Sequence, residues 1–209
     1  VKIFEDTTCF DIKQDSEKYI CYTQNNKIQS KNVVIATHYP FLNIPGMYFA
    51  KMYQSSSYVI GVDTKTELFS GMYINIQSPI YSFRTAIDNK NRILILGGLD
   101  HKTGENITYK DSYGKLEQKA KQWYPNSEVK YYWSTRDCIT LDKIPYIGEF
   151  SNVLPNIYVG TGFNKWGMTS SNVSARIITD KIMGKDNEYG QIFKSTRVNP
   201  IVNKDEVKN

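Results

Sequence analysis

Apolar residues in this chain come in short bursts, none longer than four, separated by polar positions. That rhythm belongs to strands. Residues 1–4 and 9–12 read as short strands. Residues 18–23 are rich in β-formers, and Asn25-Asn26 gives a turn before 27–29. The run Val33-Val34-Ile35-Ala36 is apolar without interruption, as in a buried strand. The first forty residues therefore predict a small β-meander that ends in one buried strand. Pro40, Pro45 and Gly46 then break the pattern into a linker.

Beyond the linker, strand character returns at 58–62, 72–76, 81–84 and 92–96. Asp88-Asn89-Lys90-Asn91 predicts a hairpin turn, and Gly97-Gly98 the end of the strand after it. A polar loop is expected over 100–106. The helical period appears at 111–124, where Tyr113, Leu116, Ala120 and Trp123 share one face, and Pro125 stops it. Residues 129–133 return as a strand. Strands with a helix on one face make an α+β fold with an antiparallel or mixed sheet.

The stretch 156–184, NIYVGTGFNKWGMTSSNVSARIITDKIMG, has a different order: buried strand, glycine loop, helix, and Gly184 as a C-terminal cap. That order presents unpaired backbone N–H groups and a positive dipole end to an anionic ligand. Two phosphate motifs come close and fail. Residues 162–169 have P-loop spacing, but Met168 stands where that motif needs lysine, so a divergent nucleotide site is a weak alternative. Gly160, Gly162 and Gly167 are too widely spaced for the GxGxxG fingerprint. The same glycines also suit a tight turn that only lets helix and strand pack.

Composition narrows the classes. The 209 residues are enough for one large or two small domains, and 40% hydrophobic with 22% charged is globular. A net charge of +5 from scattered lysines, without a basic block, argues against nucleic acid as a partner. The apolar runs are too short to cross a bilayer as helices. Cys9, Cys21 and Cys138, with His38 and His101, have no metal-ligand spacing. With no secretory signal visible, the expected location is cytoplasmic. The chain begins at Val1 with strand-like residues, as expected of a piece of a longer protein. The polar residues 196–209 are expected to form a tail, frayed over 199–209.

Four segments in order carry a family resemblance. Lys31-Asn32-Val33-Val34-Ile35-Ala36-Thr37 resembles the strand that closes the dinucleotide-binding fold in FAD-dependent amine and amino-acid oxidases. RILILGGLDHKTG at 92–104 is similar to a strand and loop of their substrate domain. Thr140, Asp142, Pro145, Ile147 and Gly148 match their T-x-D-x-x-P-x-I-G segment, and 157–169 resembles their second flavin-contacting loop. The family is the D-amino-acid oxidase/glycine oxidase superfamily, in the branch resembling gamma-glutamylputrescine oxidoreductases, which includes members with a Rieske domain.

The resemblance implies a C-terminal portion that lacks the family's N-terminal GxGxxG unit. Residues 1–40 and 141–195 would be parts of the FAD-binding α/β domain, and 41–140 the substrate-binding domain between them. The cofactor implied is FAD, held near Cys9, Thr37, Gly162, Asn164, Lys165, Trp166, Gly167, Met168 and Thr169. The N–H groups of Trp166 to Thr169 would face the flavin edge that becomes negative on reduction. Thr169 falls where some members place a lysine, and Lys165 is a possible substitute or an ordinary loop lysine. The partners implied are a small amine or amino-acid substrate, the missing N-terminal dinucleotide-binding unit, and a C-terminal Rieske domain in the parent.

For the substrate, Arg84 and Arg136 are the carboxylate candidates. Relatives carry arginine where alignment on Thr140 puts Asp137, so Arg136 is one step off and faces the other side of its strand. An acid at Asp137 suits an amine, or a structural ion pair. Tyr81, Tyr131, Tyr132 and Trp133 are candidates for an aromatic wall, and His101 for a surface loop. The implied activity is oxidation of a C–N bond by hydride transfer to flavin, with the isolated chain inactive. The alternative is a non-catalytic module that binds an amine or peptide.

Overall fold

The computed structural model describes residues 1–89 and 91–197. The chain divides into two compact units, Val1–Tyr53 with the described residues from Cys138 onward, and Gln54–Asp137. This differs from the expected boundary after residue 40. Tyr48 and Met52 are buried in one apolar cluster with Tyr19, Ile35, Tyr146 and Val159, which holds residues 41–53 in the first unit.

In the first unit, β1 (Cys9–Asp15), β2 (Lys18–Thr23) and β3 (Lys27–Ser30) form the expected antiparallel meander. Residues 1–4 are not a strand. No partner strand lies beside them among the described residues, and Val1, Ile3 and Phe4 are exposed. A second sheet has the order β10 (Tyr146–Glu149), β11 (Ile157–Thr161), β4 (Val33–Ile35). β11 pairs antiparallel with β10 and parallel with β4. Helix α2 (Gly167–Ile182) covers β10 and β11 through Ile177 and Ile178, which pack with Ile147 and Tyr158. Gly184 ends α2 in the left-handed region, φ +67°, and the Lys185 N–H reaches back to the Asp180 carbonyl at 2.8 Å.

The second unit is a five-stranded antiparallel sheet, in order β6 (Met72–Ile74), β7 (Tyr81–Asp88), β8 (Asn91–Lys102), β5 (Met52–Asp63) and β9 (Glu128–Thr140). Asp88 pairs with Asn91, so the expected hairpin forms. Helix α1 (Tyr109–Trp123) covers one face. Its Leu116 and Ala120 pack against Tyr58, Ile60, Val62, Leu94 and Leu96. Thr108 caps the helix by accepting the Asp111 N–H at 3.1 Å. Side chains alternate along a strand, so Val59, Gly61, Arg84 and Ile95 point to the other, open face.

β8 does not stop at Gly97-Gly98. It runs on to Lys102, where the expected polar loop would already have begun. Gly98 marks a close approach: a Cβ there would lie 2.4 Å from the Ile80 carbonyl oxygen. His101 is therefore a strand residue, half-buried and stacked on Tyr58 with ring centroids 5.5 Å apart.

Candidate functional site

The glycine loop lies wholly in the first unit. All five residues of β11 are buried. Gly160 leaves room for α2, since a Cβ there would sit 2.4 Å from Ser174 Oγ. Gly162 is required twice over. Its φ is +69°, and a Cβ would lie 2.3 Å from Thr140 Cγ2. Asn164 and Lys165 continue the left-handed path at φ +50° and +69°.

Asn164 holds this path in place. Its backbone N–H donates to the Cys138 carbonyl at 3.2 Å. Its Oδ1 accepts the Thr140 N–H at 2.9 Å and the Thr140 hydroxyl at 3.2 Å. The side chain expected at the flavin edge is thus a stitch between the loop and the end of β9. Thr140 and Cys138 are the partners that periodicity gave no sign of.

Helix α2 starts immediately after. Its first turn closes with the Ser170 N–H on the Trp166 carbonyl at 2.9 Å. The Trp166 N–H is already used, bonded to the Phe163 carbonyl at 2.7 Å, which corrects the expected donor set of Trp166 to Thr169. Gly167, Met168 and Thr169 precede the first helical bond and have no carbonyl one turn back. Trp166 is the N-cap residue and its side chain makes no capping bond. The Thr169 hydroxyl turns back to the Trp166 carbonyl at 3.1 Å. Space beyond Gly167 is open, with nothing within 4 Å of where a Cβ would be. Trp166 and Met168 are 71% and 88% exposed, and Lys165 is exposed beside them. This is an uncapped positive helix end on an accessible surface, and an anionic group fits it.

The other expected cofactor residues lie elsewhere in the same unit. Cys9 begins β1, partly buried, its thiol directed at the Asp11 carbonyl at 3.6 Å. Thr37 follows β4, exposed, with its hydroxyl on the Tyr39 carbonyl at 3.0 Å. The T-x-D-x-x-P-x-I-G segment proves to be a clamp. Arg197 holds Asp142 with two bonds, 2.7 and 2.9 Å, and donates to the Ile144 and Pro145 carbonyls. Its guanidinium also lies 3.7 Å from the Tyr146 ring centroid. Burial would raise the Asp142 pKa, but Arg197 and the Ile144 N–H outweigh it and hold the carboxyl below its ordinary value. Arg197 was expected in the polar tail and is part of the packed unit. Residues 199–209, expected to fray, lie outside the described residues.

In the second unit the substrate candidates separate. Arg136 donates to the Tyr109 hydroxyl at 3.1 Å, which puts it on the helix-covered face. Asp137 faces the other way, its Oδ2 accepting from Ser57 Oγ at 3.5 Å. Arg84 shares that open face and lines a hollow of about 370 Å³ with Val59, Met72, Ile74, Ile95 and Trp133. The register runs Arg84, Ile95, Gly61 across the sheet, and Ser57 is four residues before Gly61. Three strand spacings and four residues of rise put Arg84 and Asp137 roughly 20 Å apart. They cannot grip one small amino acid together. The aromatic candidates split too. Tyr81 and Tyr132 pack against α1 through Trp123 and Tyr113, while Tyr131, lying over Gly61, and Trp133 stand on the open face.

Among the described residues no helix is long and apolar enough to cross a membrane. The chain is 37% identical over 196 residues to the Bacillus subtilis protein described as "Putative Rieske 2Fe-2S iron-sulfur protein YhfW", covering 94% of this chain and 38% of that protein. It is 22% identical to the "Probable oxidoreductase OrdL" of Haemophilus influenzae, covering 95% of this chain and 46% of that one. The chain thus spans less than half the length of these curated relatives. In fold it is similar to glycine oxidase from Geobacillus kaustophilus, with a TM-score of 0.74 and 21% identity over 94% of this chain and 53% of that one. The family model described as "FAD dependent oxidoreductase" matches residues 1–181. The chain belongs to the FAD-dependent oxidoreductase family.

Proposed function

We propose that this chain is the substrate-binding and C-terminal cofactor portion of an oxidoreductase that oxidises a C–N bond of an amine or amino acid. The observation that carries this reading is the uncapped start of α2, behind a loop fixed by Gly162 and Asn164, in a chain of this family. The residues fit the cofactor: the N–H groups of Gly167, Met168 and Thr169 stabilise negative charge at the flavin edge, and Lys165 adds a cation nearby. FAD, when bound, supplies the acceptor for the hydride.

Residues 1–53 and 138–197 belong to the cofactor domain in this reading, and 54–137 to the substrate domain. A separate N-terminal unit would carry the dinucleotide loop and add its strand to β4. Two features favour that place. β4 is the end strand of its sheet among the described residues, and Val34 is exposed on the face that α2 covers over β10 and β11. The isolated chain is then inactive. A Rieske domain in the parent accords with the described relative. A cytoplasmic location belongs to the same reading.

On the substrate side, Arg84 suits a carboxylate and Asp137 an amine, and their separation means that one of them, not both, meets the reacting end. Charge-removing variants of the parent, Arg84→Gln and Asp137→Asn, decide between them. The one that matters raises KM for its substrate class at least tenfold. The whole reading is tested by calorimetric titration with FAD, with and without the N-terminal unit supplied as a second polypeptide. FAD binds only when both are present, and Gly162→Val abolishes it. Failure to bind under both conditions would remove the flavoprotein reading of this loop.

A further inference from the structure

Lys51 follows the short helical turn Tyr48–Ala50, and its side chain is half-buried in the first unit. Its ammonium lies over two buried rings, 4.7 Å from the centroid of Tyr48 and 5.5 Å from that of Tyr146. An ammonium has three N–H donors to place. Lys51 places one, on the Ser195 carbonyl at 3.5 Å. Among the described residues no carboxylate lies within ion-pair distance of it. Asp142 is already held by Arg197 in two bonds, and Arg197 stacks on the same Tyr146 ring.

Lys51, Arg197 and Asp142 therefore leave one positive charge without a counterpart. Burial first, and then the Arg197 charge, hold the Lys51 pKa below its ordinary value. Such a cation lowers stability unless something bound supplies the missing charge.

Tyr146 stands between this charge and the glycine loop. It pairs with Thr161, the residue before Gly162, and its Cδ2 lies 3.7 Å from where a Cβ on Gly162 would be. From Gly162 the loop leads to the free N–H groups of Gly167, Met168 and Thr169 at the start of α2. Charges behind a packed ring are screened little by salt, and across one ring and one loop they shift an equilibrium severalfold.

The N-terminal unit is badly placed to meet this charge. That unit would join at β4, whereas Tyr146 is in β10, at the other end of the same three-stranded sheet. The outer edge of β10 is closed by this chain, with the Ile147 N–H on the Phe193 carbonyl at 2.8 Å. The remaining direction is the loop.

On the flavoprotein reading of that loop, on which this rests, we propose that the Lys51 charge, acting from behind Tyr146, makes the site prefer the reduced, anionic flavin over the oxidised one. Lys51 is not a catalytic residue. It acts across Tyr146, through its field.

The test is titration of the full-length parent, freed of cofactor, with oxidised FAD and, under exclusion of oxygen, with dithionite-reduced FAD. Lys51→Met lowers the preference for the reduced form at least threefold, and Lys51→Gln does the same. Lys51→Arg, which keeps the charge, stays within twofold of the unaltered protein. An unchanged ratio in the two neutral variants, with FAD still bound, overturns this proposal and leaves the reading of the loop standing. So does a fall in the ratio that Lys51→Arg shares in full, or loss of folding in both neutral variants, since Lys51 is then a structural residue. Failure of the unaltered protein to take either form removes the reading of the loop and this proposal together.

Discussion

Two asparagines do similar mechanical work in the two units, with opposite results at the surface. Asn164 ties the glycine loop to Thr140, and its fixed backbone presents a polar helix end. Asn75 ties the hairpin of residues 75–81, and its fixed backbone presents an apolar strand edge. The loop can stay open in water, because N–H groups are solvated until an anion replaces the water. The hairpin cannot do so cheaply, since every exposed Met and Ile costs hydrophobic free energy. The first surface suits a small charged ligand, and the second is an apolar edge.

The largest effect of a single substitution is expected in the first unit. Arg197→Ala leaves the partly buried Asp142 without its partner, and chemical denaturation should show a loss of about 3 kcal/mol, the low end for a buried pair. The pH profile sharpens this. Asp142 has a folded pKa held below its ordinary value, so its contribution is present above that ordinary value and is lost as pH falls through the folded one. In Arg197→Ala, burial dominates and the pKa rises. The sign reverses, and this site then gains relative stability as pH falls through the raised value. Asn164→Ala comes next. It strips the Thr140 N–H and hydroxyl of their acceptor beside a buried strand end, at about 1–3 kcal/mol, and it lowers flavin affinity with it. Asn75→Ala is the mildest, at about 0.5–1.5 kcal/mol, because its hairpin is exposed and water replaces the lost partners.

Local rules made much of this fold legible. The helix at 111–124 has a clear period, and the structure starts it at Tyr109 because Thr108 caps it. The hairpin at Asp88–Asn91 and the strand, loop and helix of 156–184 follow from turn residues and glycine spacing. Long-range pairs were not legible. Arg197 lies in a polar stretch, and only the fold brings it to Asp142, fifty-five residues away. Asn164 and Thr140 are likewise joined across twenty-four residues. Gly97-Gly98 misled in a different way, since a glycine admitting a neighbouring carbonyl looks in sequence like one that ends a strand. The offset of Arg136 from Asp137 was legible, because strand alternation alone puts neighbouring side chains on opposite faces.

In the function proposed for this chain, the unpaired N–H groups at the start of α2 receive the flavin. Hydrogen exchange of the Gly167, Met168 and Thr169 amides, in the chain complemented by its N-terminal unit, tests it directly. Adding FAD should slow exchange at these three amides at least tenfold, with Trp166 changing little because its N–H is already bonded to Phe163. If FAD binds and these amides exchange as before, the loop is a packing turn and the flavin lies elsewhere.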